Sequence, residues 1–259
     1  MKLISINTWG GKIYKPLMNF ISANSQDTDI FCFQEVFSTT SNIKINYERR
    51  MNLYEEFSKI LTKHQGYFYT SLEDYVIFSR TDVYKTDFNL KFGLSIFVKN
   101  DINVDSSGEF FIYGKRNIFD ANNLNTLPKN AQYISFTSMG KKFTICNLHG
   151  IWLKEGKNDS PSRIQQSKII NQFLDKQMGT KILCGDFNLD MNTKSVEILE
   201  KGLRNLIQEY HIQTTRNKLF PGEEKFADYT FVSKDITVKS FKVPDIEVSD
   251  HLPMILEFS

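Results

Sequence analysis

The sequence predicts an α/β fold in which two sheets pack face to face with helices on the outside. Short apolar runs rich in β-branched and aromatic residues recur along the whole chain, and segments with helical spacing are interleaved with them. No Pro/Ser-rich linker, charge block or internal repeat divides the 259 residues, so one domain spanning residues 1–259 is expected.

Each element follows from its residues. Lys2-Leu3-Ile4-Ser5-Ile6 is a strand that stops at Asn7, and Tyr14, Leu17, Met18 and Ile21 give residues 14–23 helical spacing. The strand Asp29-Ile30-Phe31-Cys32-Phe33-Gln34 stops at Glu35. Tyr47, Met51, Tyr54, Phe57, Ile60 and Leu61 then mark a helix over 47–63. Tyr75–Phe78, Leu94–Val98, Phe110–Tyr113 and Tyr133–Phe136 are short strands. Ser138-Met139-Gly140-Lys141 turns the chain into a strand that ends Asn147-Leu148 and stops at His149. Ser160-Pro161 opens a helix with a capping residue and a first-turn proline, and Ile164, Ile169, Phe173 and Leu174 form its apolar side. Lys181-Ile182-Leu183-Cys184 leads into Gly185-Asp186-Phe187-Asn188, and Thr193 caps a helix through Val196, Ile198 and Leu199. The last strands are Tyr229–Val232, which follows Asp228, and Pro253–Phe258, which follows Ser249-Asp250-His251.

Composition narrows the class. With 41% hydrophobic and 24% charged residues the chain is an ordinary globular protein. A net charge of +2 permits an anionic substrate but is low for a dedicated DNA-binding domain. The N-terminal apolar stretch is broken by Asn7 and Gly10-Gly11, without a cleavage site, and no segment approaches the roughly 18 apolar residues of a membrane span. Cys32, Cys146 and Cys184 each fall in an apolar strand pattern, as core thiols do. A cytoplasmic protein without stable membrane association is expected, and no protein partner is indicated.

The polar residues at the strand tips carry the chemistry, because tips tied to one core can converge on one edge. A carboxylate such as Glu35, ending a buried strand, needs a partner, and a metal ion is a natural one. Mg²⁺, or Mn²⁺ in its place, takes one or two carboxylates and keeps room for a phosphate oxygen. Asp186 and Asn188 stand two residues apart, which points both the same way and turns Phe187 into the core. Asp186 can then hold or deprotonate a water while Asn188 donates to a phosphate oxygen. Asp250 is a possible further ligand. His251 can stabilise charge or accept a proton, given an orienting carboxylate such as Asp228. Asn7 and His149 complete the set, whereas His64 and His211 fall in helical or loop contexts and take no role. Three loops, 114–130, 154–162 and 214–225, adjoin these tips and can shape a pocket.

In the order Asn7, Gln34-Glu35, Asn147-x-His149, Gly185-Asp186-Phe187-Asn188, Asp228-Tyr229 and Ser249-Asp250-His251, the chain resembles the endonuclease/exonuclease/phosphatase superfamily from residue 3 to residue 258. The resemblance implies a four-layered α/β/β/α sandwich of two mixed sheets, as in deoxyribonuclease I, and Mg²⁺-dependent phosphoester hydrolysis by in-line attack of water. By that resemblance Glu35 is the principal metal ligand with Asn7 and Asp250 nearby. Asp186 aligns the water, Asn188 holds a phosphate oxygen, Asp228 orients His251, and His149 contacts the phosphate or assists the leaving group. Gln34-Glu35-Val36 and the Asn-x-His tip look more like the deoxyribonuclease I, sphingomyelinase and tyrosyl-DNA phosphodiesterase branches than the 5-phosphatases or exonuclease III. In deoxyribonuclease I a glutamate pairs with the histidine corresponding to His149, and Glu73 is the nearest counterpart here.

Nucleic acid is the expected substrate, with Lys115, Arg116, Arg163, Arg216 and Lys225 in or beside the rim loops. The alternative is a small-molecule or lipid phosphoester, which a compact pocket would favour. A non-catalytic binding module ranks last, because Glu35, Asp186 and His251 are all present.

Overall fold

Alternation along the first two strands sets the layers. In β1 (Lys2–Asn7), Leu3 enters the core between two sheets, while Ile4 and Ile6 pack with Leu17, Phe20 and Ile21 of α1 (Tyr14–Asn24) on the opposite face. In β2 (Ile30–Ser38), Ile30 and Cys32 point inward and Phe31 and Phe33 face the helices. The Phe33 ring lies 4.6 Å from that of Phe57 in α2 (Leu53–Ile60). The computed structural model describes every residue except 44, 47 and 78–82. Tyr47 and Phe78, assigned above to a helix and a strand, lie outside the described residues.

The other strands of the two large sheets are β3 (His64–Glu73), β4 (Lys91–Lys99), β5 (Val104–Tyr113), β6 (Lys129–Ser138), β7 (Lys141–His149), β8 (Thr180–Asp186), β9 (Leu203–Asn205), β10 (Asp228–Ser233), β11 (Val238–Lys242) and β12 (Met254–Phe258). They form two six-stranded sheets, ordered β11-β12-β1-β2-β4-β3 and β9-β10-β8-β7-β6-β5. Each has one parallel pair, β1 with β2 and β7 with β8, in an otherwise antiparallel arrangement. Helix α3 (Pro161–Asp175) and helix α4 (Lys194–Glu200) cover the second sheet through Ile170, Leu174, Val196 and Leu199. The result is an α/β/β/α sandwich of two packed mixed sheets, completed by the short α5 (Leu206–Glu209).

The local signals act as expected where they recur. Ser160 Oγ accepts from the Arg163 amide and Thr193 Oγ1 from the Val196 amide, caps worth about 1 kcal/mol each. Met139 and Gly140 both adopt positive φ, 49° and 75°, as a tight two-residue hairpin requires. Two expectations need correction. The helix expected over 47–63 starts only at Leu53, because Arg49 and Arg50 pair instead with residues 45–46 in a small ribbon. His64 is not in a helix or loop: it opens β3, is buried, and its Nε2 lies 2.8 Å from the Thr28 carbonyl.

One of the polar ties between the sheets joins two motif residues. Gln34 Nε2 donates to Asn147 Oδ1 at 2.6 Å, and Asn147 Nδ2 donates to the Phe33 and Ser95 carbonyls at 3.1 and 3.3 Å. Two motif residues of the strand tips therefore fasten one sheet to the other. Around them Cys32, Cys146 and Cys184 are free thiols with no solvent exposure. Among the described residues no helix is long and apolar enough to cross a membrane.

Candidate active site

Glu35 does not end its strand. The strand β2 runs on to Ser38, and Glu35 sits at a β-bulge where the pairing with β4 shifts between Phe33 and Val36. Without the bulge Glu35 would share the face of Phe31 and Phe33 beneath the helices. With φ at 55° it is turned instead toward Asn7, and Val36 takes the helix-side place. Thr8 Oγ1 secures the bulge by donating to the carbonyls of Gln34 and Glu35 at 2.9 and 3.0 Å.

Asn7 is the hub of the acidic group. Its Nδ2 donates to Glu35 Oε1 at 3.2 Å and to Asp186 Oδ2 at 3.0 Å, while its Oδ1 accepts from the Trp9 amide. Asp186 reaches this point from β8 because Gly185 precedes it. Gly185 has φ of 131°, and a Cβ there would stand 2.2 Å from the Leu148 carbonyl oxygen, so only glycine lets β7 approach. Phe187 turns into the core against Tyr229 and Phe231, as expected. Asn188 takes φ of 52°, its amide bonded to Asp186 Oδ1 at 2.9 Å.

Two histidines flank Asp186. His251 Nδ1 lies 2.8 Å from Asp228 Oδ2, and its Nε2 lies 3.6 Å from Asp186 Oδ2. The register explains the meeting: Asp186 and Asp228 are directly opposed on β8 and β10. His149, paired across to Asp186 on β7, has its Nε2 3.8 Å from both Glu35 Oε1 and Asp186 Oδ2. Its nearest charged partner is Lys129 Nζ, at 3.4 Å. Glu73 is not that partner. It lies at the far end of β3, opposite Lys91.

The charges follow from these neighbours. Burial pushes Asp186 up, but His251, His149, Arg216 and Lys157 together hold it well below the usual carboxylate range. Burial also works against Glu35, and His149, Arg49, His251 and the Asn7 hydrogen bond outweigh it, so Glu35 is lowered too. Burial and Lys129 bring His149 down to about 4 against the pull of Asp186 and Glu35. His251 goes the other way: burial and Arg216 depress it, but Asp228, Asp250 and Asp186 leave it raised. Lys129 is lowered by burial, with Glu35 and Asp186 resisting.

All eight residues expected at the site are brought together, with two departures in what they face. Asn7 presents a donor to the carboxylates, and Asp250 Oδ2 points at Arg216 Nη1, 3.0 Å away. Asn7 thus turns its amide nitrogen, not its oxygen, to the acidic pair, and one oxygen of Asp250 is committed to Arg216. Asp186, Asp228 and His251 have donor atoms within 4.8 Å of one another, but the His251–Asp228 pair is already closed by its own hydrogen bond. Glu35 and Asp186, joined through one amide, are the oxygen-donor pair that suits a hard divalent cation.

Above them opens a cavity of about 370 Å³. Each of the three loops adjoining the strand tips contributes to its wall: Leu124 and Leu127 from the first, Lys154 and Lys157 from the second, Arg216 and Phe220 from the third. Trp9, Trp152 and Phe37 add aromatic surface. Lys129, Lys157 and Arg49 were not singled out in the sequence, since lysines in polar loops and an arginine in a helical pattern look like solvated residues. Of the basic residues expected at the rim, Arg216 lines the cavity. Arg163 is buried and donates to the carbonyls of Ile151 and Asn158, while Arg116 binds Glu109 and the Thr70 carbonyl.

This geometry has relatives. The chain matches the model of the Endonuclease/Exonuclease/phosphatase family over residues 4–251. It belongs to that family. A UPF0294 protein of Vibrio campbellii is 26% identical over 136 residues, 51% of this chain and 46% of that protein. The chain thus spans about half the length of the curated relatives it matches. Among solved structures, a family protein of Leptotrichia buccalis superposes with a TM-score of 0.69 at 20% identity, covering 100% of this chain and 99% of its own. Mannosyl-6-phosphatase of Bacteroides thetaiotaomicron gives 0.66 at 19%, covering 100% and 99%. A humanized D. rerio TDP2 gives 0.69 at 14%, covering 100% and 98%. At these identities the likeness shows that the family member shares their fold.

Proposed function

We propose that this chain is a divalent-metal-dependent hydrolase of a small phosphoester, with Mg²⁺ as its usual ion. The observation that carries the reading is the cavity. At about 370 Å³, with Trp9, Trp152 and Phe220 in its wall and the buried polar group at its floor, it has the size and lining of a small-ligand site. Nucleic acid, the expected substrate, rests on a basic rim whose Arg116 and Arg163 are engaged in bonds within the protein.

Glu35 and Asp186 would hold the metal ion, which supplies charge neutralisation at a phosphate oxygen and lowers the pKa of bound water. The chain's own residues do the rest. Asn7 fixes the two carboxylates relative to one another. Asn188 faces the cavity as a donor for a phosphate oxygen, and His149 lines it beside Lys129. Asp228 fixes the His251 ring through Nδ1, so Nε2 is presented beside Asp186, where a water or a charged phosphate oxygen would stand.

The test is hydrolysis of p-nitrophenyl phosphate and bis(p-nitrophenyl) phosphate across a Mg²⁺ and Mn²⁺ titration, beside an end-labelled duplex carrying one abasic site. Cleavage of an aryl ester that stops with EDTA is expected, with an oligonucleotide cut poorly if at all. Glu35→Gln is expected to raise the half-saturating Mg²⁺ concentration at least about tenfold. An unchanged titration would remove Glu35 from the metal site. Duplex cleavage at the higher kcat/KM would return the substrate to nucleic acid.

A further inference from the structure

Two cations in the cavity wall have no part in the chemistry described above. Lys157, in the loop after β7, is 5% exposed, and its Nζ hydrogen-bonds to nothing among the described residues. Arg216, in the loop before β10, is 8% exposed; its Nη1 reaches Asp250, but its Nε has no protein partner either. Both lie over one ring. The Arg216 guanidinium carbon is 4.3 Å and Lys157 Nζ 5.3 Å from the centroid of Phe220. Their backbones are held by the site itself: Asp190 N–H donates to the Lys157 carbonyl at 2.9 Å, and Arg216 forms a β-bridge with His251.

A buried ammonium without a hydrogen bond is costly, and a neighbouring guanidinium adds to the cost. The nearby acids do not pair with it: Asp186 and Asp228 are engaged with His251, Asp250 serves the far edge of Arg216, and Glu224 lines the same cavity without bonding Lys157 Nζ. Two adjacent cations that line one cavity, stack on one ring and keep donors that no protein group takes are complementary to an oxyanion between them.

We propose that Lys157 and Arg216, stacked on Phe220, form a second anion-binding subsite beside the hydrolytic centre, and that the substrate is a small phosphoester carrying another anionic group, a phosphate or a carboxylate. The inference rests on the small-phosphoester reading and names its substrate class. Burial and the Arg216 charge bring Lys157 down to about 8 against the pull of Asp186, Asp228 and Glu224, consistent with an ammonium that no carboxylate pairs directly.

Calorimetry on the Mg²⁺-loaded protein tests it with three probes: propylphosphonate, 3-phosphonopropionate and propane-1,3-bisphosphonate. Wild type is expected to bind the two doubly anionic probes about 10- to 100-fold tighter than propylphosphonate, the gain a charge-assisted hydrogen bond supplies. In Lys157→Met that preference is expected to shrink to within about threefold, and Lys157→Arg to keep most of it. The carboxylate probe separates this gain from metal chelation by the bisphosphonate. No preference in wild type would overturn the subsite. So would equal weakening of all three probes in Lys157→Met, which would place Lys157 at the reacting phosphate. Failure of even propylphosphonate to bind, with no aryl ester cleaved, would sink the underlying reading and the subsite with it.

Discussion

On one side of the cavity floor His251 stands between carboxylates, with Asp228 on Nδ1 and Asp186 facing Nε2. On the other side His149 faces Asp186 and Glu35 as well, but its closest charged neighbour is the Lys129 ammonium. A lysine has no lone pair to offer, so His149 Nε2 must accept from it, which places the neutral ring's proton on Nδ1. His251 is raised and His149 falls to about 4. Both rings are buried, so burial alone does not separate them. The partner of one ring nitrogen does, and in each case it arrives from a different strand: Asp228 from β10, Lys129 from β6. Under the proposed function the contrast would give them separate work, a fixed donor or charge stabiliser at His251 and a neutral phosphate contact at His149.

Substitutions can break this contrast or sharpen it. The largest effect is expected from His251→Ala, which should lower turnover by about two to four orders of magnitude. Near-normal turnover in a stopped assay with the aryl ester would take His251 out of the mechanism. Asp228→Asn comes next. It keeps the shape but removes the charge that orients the ring, and a loss of about 10- to 100-fold in kcat is expected; full activity would dissolve the pair. The smallest effect is spectroscopic. In metal-free Lys129→Met protein the His149 ring should titrate higher than about 4, moving towards 6.5, because a positive neighbour has gone while burial remains. The ring's proton resonance followed against pH gives the answer. If it does not move, burial rather than Lys129 sets His149, and the two sides differ for another reason.

The parts of this arrangement that were legible in the sequence share a physical cause. Strands inside the sheets, such as β1, β2, β7 and β8, are covered on both faces and read as apolar runs that stop at a polar residue. In the two large sheets the three strands that gave no such run, β3, β9 and β11, are all edges. In β3, Gln65 is exposed and residues 66–69 are half-buried, and Gly66 interrupts the pattern. The site residues were legible because they adjoin the ends of those interior runs. The bulge at Glu35 was not, since alternation carries no mark of one extra residue until the partner strand is known. Lys129 and Lys157 escaped for the converse reason: each stands in a polar stretch, and only the closure of three loops over one floor takes it out of water.

The three thiols of the inter-sheet core have a practical consequence. Cys32, Cys146 and Cys184 have no exposed surface, and they lie on strands of both sheets. Motion of the cavity loops leaves them covered; only separation of the sheets brings them into solvent. The rate at which a thiol reagent labels the native protein therefore counts those separations, and a substrate or ion that clasps the two sheets at the strand tips would slow the labelling without touching a single cysteine.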